Sequence, residues 1–294
     1  MNYFCTVKRF GRLITLAIIC VISLISNEIY AVNNVQPSKA DNDSIEISQV
    51  NLIIDIGNTC VKLACFNDEK IVECIRVDKN EAKDGLLAFS AKYSFDKGIC
   101  STVAGLSDDF LSAIDSLPFG VIRLVSGETP VPIENHYATP FTLGSDRLAA
   151  VVGANYLRPD CNILVIDVGT CITFDFISSA GIYEGGNISL GPTMRFLALH
   201  EHTAKLPLVE RKGCVKSLGN TTEVAIRSGV VQGIRYEIEG YVRAFLEKYP
   251  DLFVYLTGGV HLNLHFSEKM PIFANDFIVP IGLNRILEYN NEIV

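Results

Sequence analysis

The sequence lacks the motifs that mark several large classes of enzyme. It has no Cys-x-x-Cys among its nine cysteines, and its five histidines include no ligand pair backed by acidic residues. It also has no Gly-x-Ser-x-Gly, no Walker phosphate loop and no dinucleotide-binding fingerprint. These absences argue against a metal cluster and a histidine-based nucleophile. They also argue against a Walker-type phosphate site and a Rossmann-type dinucleotide site.

Positive charge is also scarce. Only 20% of the residues are charged, the net charge is −8, and the body of the chain has no Lys/Arg cluster. Nucleic acid is therefore not expected as the main partner, because phosphate neutralisation needs a basic surface. The cysteines are odd in number and several lie inside apolar runs, which indicates free thiols in a reducing compartment rather than a disulfide framework.

Residues 1–50 differ in character from the rest. A basic start precedes an apolar run over 13–26, which has the outline of a secretory signal peptide but is short for a membrane span. Residues 33–48 are polar, with a composition typical of an unstructured segment. Two explanations are open: export or anchoring, or an upstream extension ahead of a true start near Val50. We favour the extension, because unpaired cysteines belong in the cytoplasm, and we expect no stable membrane association.

Two stretches of the chain repeat one pattern. Residues 52–66 read LIIDIGNTCVKLACF, and residues 163–177 read ILVIDVGTCITFDFI. Each predicts a buried strand that ends in an aspartate, a tight turn with glycine and threonine, and a second β-rich run. One copy alone is compatible with an ordinary turn. Two copies, with 112 residues from Asp55 to Asp167, indicate two similar halves that face each other across a cleft.

The residue types in these turns are those of a phosphate site. Backbone N–H groups and hydroxyls can bind phosphate oxygens, Lys62 adds a positive charge, and the strand-end aspartates can bind a metal ion. We therefore interpret the space between the two copies as a nucleotide-phosphate cleft.

A polar stretch between the copies ends in Gly144-Ser145-Asp146-Arg147, at the expected start of a helix. Arg147 can bind a carboxylate, and Asp146 can accept a hydroxyl proton. The alternative is structural, because an acid at a helix N-terminus is favourable through the helix dipole alone.

The order of predicted elements is that of an α/β protein with mixed sheets. The first half follows the pattern β-β-β-α-β-α-β. In the second half we predict a helix over 196–206, a long helix over 223–249, and a final strand and helix over 277–279 and 281–289.

Six motifs appear in the order seen in the type III pantothenate kinases, which the chain resembles over residues 51–290. They are Asp55-Ile-Gly-Asn-Thr59 with Lys62, Gly144-Ser-Asp-Arg147, Asp167-Val-Gly-Thr170, Gly185-Gly186, Gly219-Asn-Thr-Thr222 and Thr257-Gly-Gly259. This family is part of the acetate kinase/sugar kinase/Hsp70/actin superfamily. The joint set is more specific than any one motif. The family usually has Gly-Ala-Asp-Arg, so Ser145 is a small departure that leaves the spacing of the two charged residues intact.

The resemblance implies an actin-like ATPase fold. Two similar ribonuclease H-like halves, residues 51–160 and 161–294, would each have a mixed β-sheet flanked by helices, with an ATP cleft between them. The implied reaction is the ATP-dependent phosphorylation of pantothenate to 4′-phosphopantothenate, the first step of coenzyme A biosynthesis, by a cytoplasmic homodimer. Two alternatives remain: another small-molecule kinase of the same superfamily, or a non-catalytic, nucleotide-binding accessory or regulatory factor.

The resemblance also implies roles for single residues. The ATP contacts would be Asp55, Ile56, Gly57, Asn58, Thr59, Cys60, Val61, Lys62 and Thr170, with Asp55 organising Mg²⁺, directly or through water. The pantothenate contacts would be Tyr137, Gly144, Ser145, Asp146, Arg147 and Thr222, the last from the partner side of a dimer. Asp146 would be the general base, and Asp167 would bind a monovalent cation, K⁺ or NH₄⁺.

Overall fold

A computed structural model of the chain describes residues 50–103, 105, 107–259, 266 and 270–292. All of them belong to one compact unit of the chain. The signal-like or extension segment predicted for residues 1–50 lies outside the described residues, apart from Val50.

The first half of the described chain forms a five-stranded mixed sheet. Its strands are β1 (Val50–Ile56), β2 (Cys60–Asn67), β3 (Lys70–Asp78), β4 (Lys97–Thr102) and β5 (Gly120–Arg123). They lie in the order β3-β2-β1-β4-β5, with antiparallel pairing of β1 to β2 to β3 and parallel pairing of β1 to β4 to β5. The central strand β1 is buried along its whole length, as its nearly continuous apolar sequence predicts.

The second half forms a six-stranded mixed sheet. Its strands are β6 (Glu134–Asn135), β7 (Ile163–Val168), β8 (Cys171–Ile177), β9 (Ile182–Leu190), β10 (Phe253–Thr257) and β11 (Ile272–Ala274). They lie in the order β11-β10-β7-β8-β9-β6. The pairs β7–β8 and β8–β9 are antiparallel, and the other pairs are parallel.

The two sheets share one topology. Strands β7, β8, β9, β10 and β11 repeat the order and the directions of β1, β2, β3, β4 and β5, and β6 is an added edge strand. The two sequence copies occupy the same place in each sheet, the central strand and its antiparallel neighbour. The prediction of two similar halves with mixed sheets is confirmed.

Six α-helices lie around and between the sheets in the described part of the chain. They are α1 (Ala82–Ser90), α2 (Asp108–Asp115), α3 (Ser145–Leu157), α4 (Pro192–Glu201), α5 (Thr222–Lys248) and α6 (Ile278–Glu292). One apolar cluster joins α1 and α2 to the first sheet, and a second joins α4 and α5 to the second sheet. A third cluster contains residues of both sheets and of α3 and α6, which places these two helices in a central layer.

Helices α3 and α6 pack with their backbones in direct contact. A Cβ atom on Gly153 would lie 2.2 Å from the carbonyl oxygen of Ile278, and a Cβ atom on Gly282 would lie 1.8 Å from that of Ala149. Helix α3 contacts β7 and β8 of the second sheet, and α6 contacts β1 and β4 of the first. Asn51 of β1 adds a buried hydrogen bond of 2.8 Å to Asn284 of α6. The first turn of α3, which contains Asp146, is thereby held between the sheets.

Two of the predicted elements are wrong in type or bounds. Residues 277–279 are not a strand, because α6 begins at Ile278; the side chain of Asn275 accepts a hydrogen bond from the backbone N–H of Phe277 and turns the chain into the helix. The helix predicted over 196–206 is α4, which begins at Pro192 and ends at Glu201. Proline is favourable in a first helical turn. Where the helix ends, the Thr203 hydroxyl donates a hydrogen bond to the carbonyl of Leu199.

None of the helices in the described part of the chain combines the length and hydropathy needed to cross a bilayer.

Candidate active site

Asp55 is the aspartate at the end of the central strand in the first half. It is 6% exposed, and its neighbour across the antiparallel pair β1–β2 is Lys62. The Lys62 ammonium lies 3.6 Å from a carboxylate oxygen of Asp55. The register of two adjacent strands therefore sets one cation beside one anion at the mouth of the predicted cleft.

The two glycine-threonine turns are each closed by a hydrogen bond from the glycine N–H, and they meet each other. The backbone N–H of Gly57 donates to the carbonyl of Cys60 at 3.1 Å, and that of Gly169 donates to Cys171 at 2.9 Å. Thr59 and Thr170, one in each turn, have their hydroxyl oxygens 3.3 Å apart. Both threonines are exposed. The structure thus brings the two sequence copies together at their turns, as the cleft interpretation predicts.

Asp167, the second strand-end aspartate, has no lysine opposite it. Its neighbours across β8 and β10 are Thr173 and Thr257. Thr173 takes the place that Lys62 has in the first half. The two aspartates therefore sit on equivalent scaffolds with different partners.

The start of helix α3 places Asp146 beside the strand ends. Gly144 is the N-cap residue, and the backbone N–H of Arg147 donates to an oxygen of the Asp146 carboxylate at 2.7 Å. The buried hydroxyl of Ser145 lies 2.8 Å from that of Ser101 and donates to the carbonyl of Thr102 at 3.1 Å. Ser101 is the parallel neighbour of Asp55 in the first sheet, so this serine pair ties the Asp146 turn to the first strand end.

Arg147 belongs to a buried polar cluster. Its Nε and Nη2 donate to the Asp175 carboxylate at 2.9 and 2.6 Å. The hydroxyl of Tyr183 donates to the same carboxylate at 2.7 Å. The ring of Tyr137 is stacked on Tyr183 with centroids 6.0 Å apart, and the guanidinium carbon lies 5.5 Å from the Tyr137 centroid.

Burial and mutual repulsion raise the pKa values of the three predicted site carboxylates. For Asp55, burial raises the pKa, Lys62 lowers it, and Asp146 raises it further. For Asp146, burial raises the pKa, and a hydrogen bond from the Arg147 backbone N–H lowers it. For Asp167, burial raises the pKa to about 6, with Lys62 lowering it and the charges of Asp146 and Asp55 adding to the rise. These carboxylates are close enough to influence one another across the cleft.

This donor set fits a bound cation that shares its ligands with a phosphate. In the described part of the chain, no group of three or more His, Cys, Asp or Glu side chains lies together in a way that could hold a metal ion. Mg²⁺ in phosphoryl-transfer sites is usually bound by one or two carboxylates, with waters and substrate phosphates as the other ligands. Burial is the main cause of the raised pKa values of Asp55 and Asp167, and the charge of neighbouring carboxylates adds to the rise. A cation bound between phosphate and carboxylate would favour the charged form of these groups.

Some predicted site residues stand apart from this cluster. Ile56 and Val61 are buried in the apolar core of the first half, so only their backbone can face a ligand. Thr222 is the exposed first residue of α5, and no hydrogen bond joins it to the other candidate residues in the described chain. Asn58 is exposed beside Thr59, and Cys60 is partly buried at the start of β2.

Sequence reasoning missed three residues of the site: Ser101, Asp175 and Tyr183. Asp175 had a usable signal, because a carboxylate inside the apolar run Thr-Phe-Asp-Phe-Ile breaks the pattern of a buried strand. Ser101 and Tyr183 gave no such signal, since serine and tyrosine are common in strands of any role. Their contacts depend on sheet register.

Comparison with solved structures first defines the class of protein. The fold matches a structure from Campylobacter jejuni described as a Baf family transcriptional activator, with a TM-score of 0.54 and 19% identity over 82% of this chain and 99% of that one. It also matches a structure from Sinorhizobium meliloti described as a 2-dehydro-3-deoxygalactonokinase, with a TM-score of 0.51 and 14% identity over 82% and 99% of the two chains. At these identities the likeness concerns the fold alone, which is that of the actin-like ATPases and related sugar kinases.

Comparison of sequences then gives the family. The profile described as type III pantothenate kinase matches residues 51–244. A type III pantothenate kinase from Phocaeicola vulgatus is 49% identical over 244 residues, which are 83% of this chain and 100% of the relative. One from Bacteroides fragilis is 50% identical over 242 residues, 82% of this chain and 99% of the relative. The chain belongs to the type III pantothenate kinase family, and the resemblance drawn from its motifs is confirmed.

Proposed function

We propose that this chain transfers the γ-phosphoryl group of ATP to the primary hydroxyl of pantothenate and yields 4′-phosphopantothenate, the first intermediate on the route to coenzyme A. Membership of the type III pantothenate kinase family supports the reaction. The observation on which the chemical assignment rests is the meeting of the two aspartate-glycine-threonine turns, with Thr59 and Thr170 3.3 Å apart. Phosphoryl transfer depends mainly on positioning and charge neutralisation, and two facing turns can supply both.

The first turn and Thr170 would bind the ATP phosphates. The exposed side chains of Asn58 and Thr59, the backbone of the turn and the Lys62 ammonium are all donors that suit phosphate oxygens. Asp55, next to Lys62, would hold Mg²⁺ directly or through water, and Mg²⁺ would neutralise charge on the phosphates. Lys62 keeps Asp55 from being an isolated buried anion when no nucleotide is present.

Asp167 would bind the monovalent cation, K⁺ or NH₄⁺. Its strand neighbours Thr173 and Thr257 supply no positive charge, in contrast to Lys62 beside Asp55. A monovalent cation at Asp167 would add to the neutralisation of the phosphates on the side of the second half. A divalent ion there would duplicate the role of Mg²⁺ at Asp55.

Asp146 would act as the general base for the pantothenate hydroxyl. Burial raises the pKa of this carboxyl, which makes it a stronger base than an exposed aspartate, and the Arg147 N–H holds one of its oxygens in place. The carboxylate would accept the hydroxyl proton as the phosphoryl group moves. A late proton transfer suits the loose transition state of this reaction.

Tyr137, Gly144, Ser145 and Arg147 would surround pantothenate on one subunit, and Thr222 would reach it from a second subunit of a homodimer. The exposed position of Thr222 suits a contact with another subunit better than a contact within its own. Four exposed apolar side chains on β9, α4 and α5 support a dimer contact on the same half: Ile188, Leu190, Leu197 and Tyr236.

We also propose a cytoplasmic location. The seven cysteines of the described residues are all free thiols, which suits a reducing compartment. ATP and the precursors of coenzyme A are found there as well.

A coupled assay of ADP release tests the proposal. The full chain is given Mg-ATP, with or without pantothenate and with or without K⁺. We expect turnover that requires pantothenate and increases with K⁺. If protein that binds ATP releases ADP at the same rate with and without pantothenate, the substrate assignment is contradicted.

A further inference from the structure

The cluster behind Arg147 carries an inference about substrate recognition. We propose that Asp175 and Tyr183 are positioning residues that fix the guanidinium of Arg147 in the orientation needed to bind the carboxylate of pantothenate. This inference rests on the proposed function, because it assumes that Arg147 is a substrate contact.

One edge of the Arg147 guanidinium, formed by Nε and Nη2, is bound to Asp175. Nε lies 2.9 and 3.2 Å from the two carboxylate oxygens, and Nη2 lies 2.6 Å from one of them. Nη2 also donates to the Tyr183 hydroxyl at 3.2 Å, while that hydroxyl donates to Asp175 at 2.7 Å. Nη1 takes part in none of these bonds. Because guanidinium has five N–H donors in a rigid plane, fixing one edge also fixes where the other edge points.

Because the cluster is buried, the orientation of the Arg147 guanidinium is fixed before substrate binds. Arg147, Asp175 and Tyr183 are 6%, 1% and 0% exposed. Burial lowers the pKa of Arg147, but the hydrogen bonds and charge of Asp175, together with Tyr183 and Tyr137, raise it overall, so the guanidinium stays charged. Tyr137, a predicted pantothenate contact, stacks on Tyr183 and so shares the same support.

A purely stabilising role explains the cluster poorly. A buried ion pair pays a desolvation cost that usually cancels most of its attraction, so packed apolar residues would stabilise this position as well. The first half does use an apolar residue there: Ala64, the counterpart of Asp175 in register, is 1% exposed in the core. Glycine at position 186 of the second half leaves space for the Arg147–Asp175 pair. A Cβ atom there would lie 2.4 Å from an Asp175 oxygen and 2.8 Å from Arg147 Nη2.

Tyr183→Phe tests the inference with the least disturbance to the fold. Removing the hydroxyl, which accepts a hydrogen bond from Arg147 and donates one to Asp175, should raise the KM for pantothenate about tenfold, with kcat within about twofold of wild type and the KM for ATP unchanged. Tyr93→Phe is the matched control, because the Tyr93 hydroxyl donates to the Glu73 carboxylate at 2.8 Å outside the cleft. It should leave all three constants unchanged.

An Arg147→Lys background separates positioning from general stability. Lysine keeps the charge but cannot make the bidentate pair, so adding Tyr183→Phe should raise the pantothenate KM by less than about twofold further. Asp175→Asn, assayed in the same way, should raise that KM more than Tyr183→Phe does, because it leaves the guanidinium without its countercharge.

Four outcomes would count against these proposals. An unchanged pantothenate KM in Tyr183→Phe, or a tenfold effect that persists in the Arg147→Lys background, would overturn the positioning role. Equal losses in kcat and in the KM values for both substrates would also overturn it in favour of a structural role. A wild-type protein that does not use pantothenate would instead refute the proposed function, whatever the variants do.

Discussion

At the residue scale, the two halves differ most in the second strand of each repeated unit. Lys62 in β2 corresponds to Thr173 in β8, and Ala64 corresponds to Asp175. The first half therefore has a cation beside its strand-end aspartate. The second half has threonines, not a lysine, as the strand neighbours of its strand-end aspartate, and an extra carboxylate that holds Arg147. In the proposed function, one scaffold would serve phosphate binding on one side, and cation and substrate binding on the other.

Replacing Asp146 should affect the chemical step more than nucleotide binding. Asp146→Asn keeps the shape of the side chain but removes the proton acceptor, so kcat should fall by about 10²–10⁴-fold while ATP affinity changes little. Steady-state kinetics and calorimetric titration with ATP check this. Asp115→Asn, at an exposed carboxylate that pairs with Arg123, is the control and should retain wild-type kcat. Full activity of Asp146→Asn would rule out the base assignment.

Asp167 should make the stability of the ligand-free protein depend on pH. Burial raises the pKa of its carboxyl from 3.8 to about 6, so the folded state binds this proton more tightly than the unfolded state. Its stabilising contribution is present below about pH 4 and is lost as the pH rises through about 6. Without added K⁺ or Mg²⁺, the melting temperature of wild type should fall relative to that of Asp167→Asn between about pH 5 and about pH 7.5.

Added K⁺ completes this test. At about pH 7.5 it should raise the melting temperature of wild type and leave Asp167→Asn unchanged, because a bound cation stabilises the folded state. Parallel melting curves for the two proteins across the pH range, with no response to K⁺, would count against both the raised pKa and the cation site.

The sequence predicted part of the site because certain contacts are local. The Asp55 turn, the Asp167 turn and the Asp146 turn are short continuous motifs whose chemistry is visible in the residues themselves. The contact between Arg147 and Asp175 spans 28 residues and depends on the register of β8 against β9 and on where α3 lies. No local pattern encodes those two facts. The roles of the individual site residues remain predictions.

At the element scale, the central helices α3 and α6 link the two sheets. Their glycines bring the backbones into contact, and α3 carries Asp146 and Arg147 in its first turn. The repeats in the sequence predicted the sheets well, because each copy defines a central strand and its neighbour. The strand predicted over 277–279 is wrong, since β-branched Ile278 and Val279 favour a strand locally but are buried in the central layer as the start of α6.

A methyl group at Gly282 should destabilise the protein. The new Cβ atom would lie 1.8 Å from the carbonyl oxygen of Ala149, so α3 and α6 would have to move apart. We expect Gly282→Ala to lower the free energy of unfolding by about 1–3 kcal/mol or more, measured by urea denaturation. Gly240→Ala, at an exposed site on α5 with open space around it, should instead raise it by about 0.5–1 kcal/mol. Equal effects of the two substitutions would contradict this account of the helix contact.

At the scale of the whole molecule, two copies of one sheet topology enclose a cleft whose turns meet at Thr59 and Thr170. This arrangement was predictable from the duplicated motif. The division into halves at residue 160 remains a prediction. Helix α6, from the end of the chain, contacts β1 and β4 of the first sheet. This contact was not predictable, because the α6 sequence does not indicate which sheet the helix packs against.

The proposed homodimer predicts a mass of twice the 32.3 kDa chain in light scattering. Ile188 is 62% exposed on β9, and a charge there should weaken an apolar dimer contact. Ile188→Asp should shift the protein towards monomer and reduce pantothenate turnover, since Thr222 would no longer reach a neighbouring site. Val72→Asp, at a 50% exposed position on β3, should leave the mass unchanged. A monomeric wild type with full activity would contradict the dimer proposal.

The central claim is that pantothenate receives the phosphoryl group of ATP, and mass spectrometry of the reaction mixture tests it most directly. The full chain is incubated with Mg-ATP, K⁺ and pantothenate, and both products are quantified over time. The account predicts phosphopantothenate and ADP in equal amounts, with both formed about 10²–10⁴-fold more slowly by Asp146→Asn. ADP without phosphopantothenate, or phosphopantothenate formed at the wild-type rate by Asp146→Asn, would contradict it.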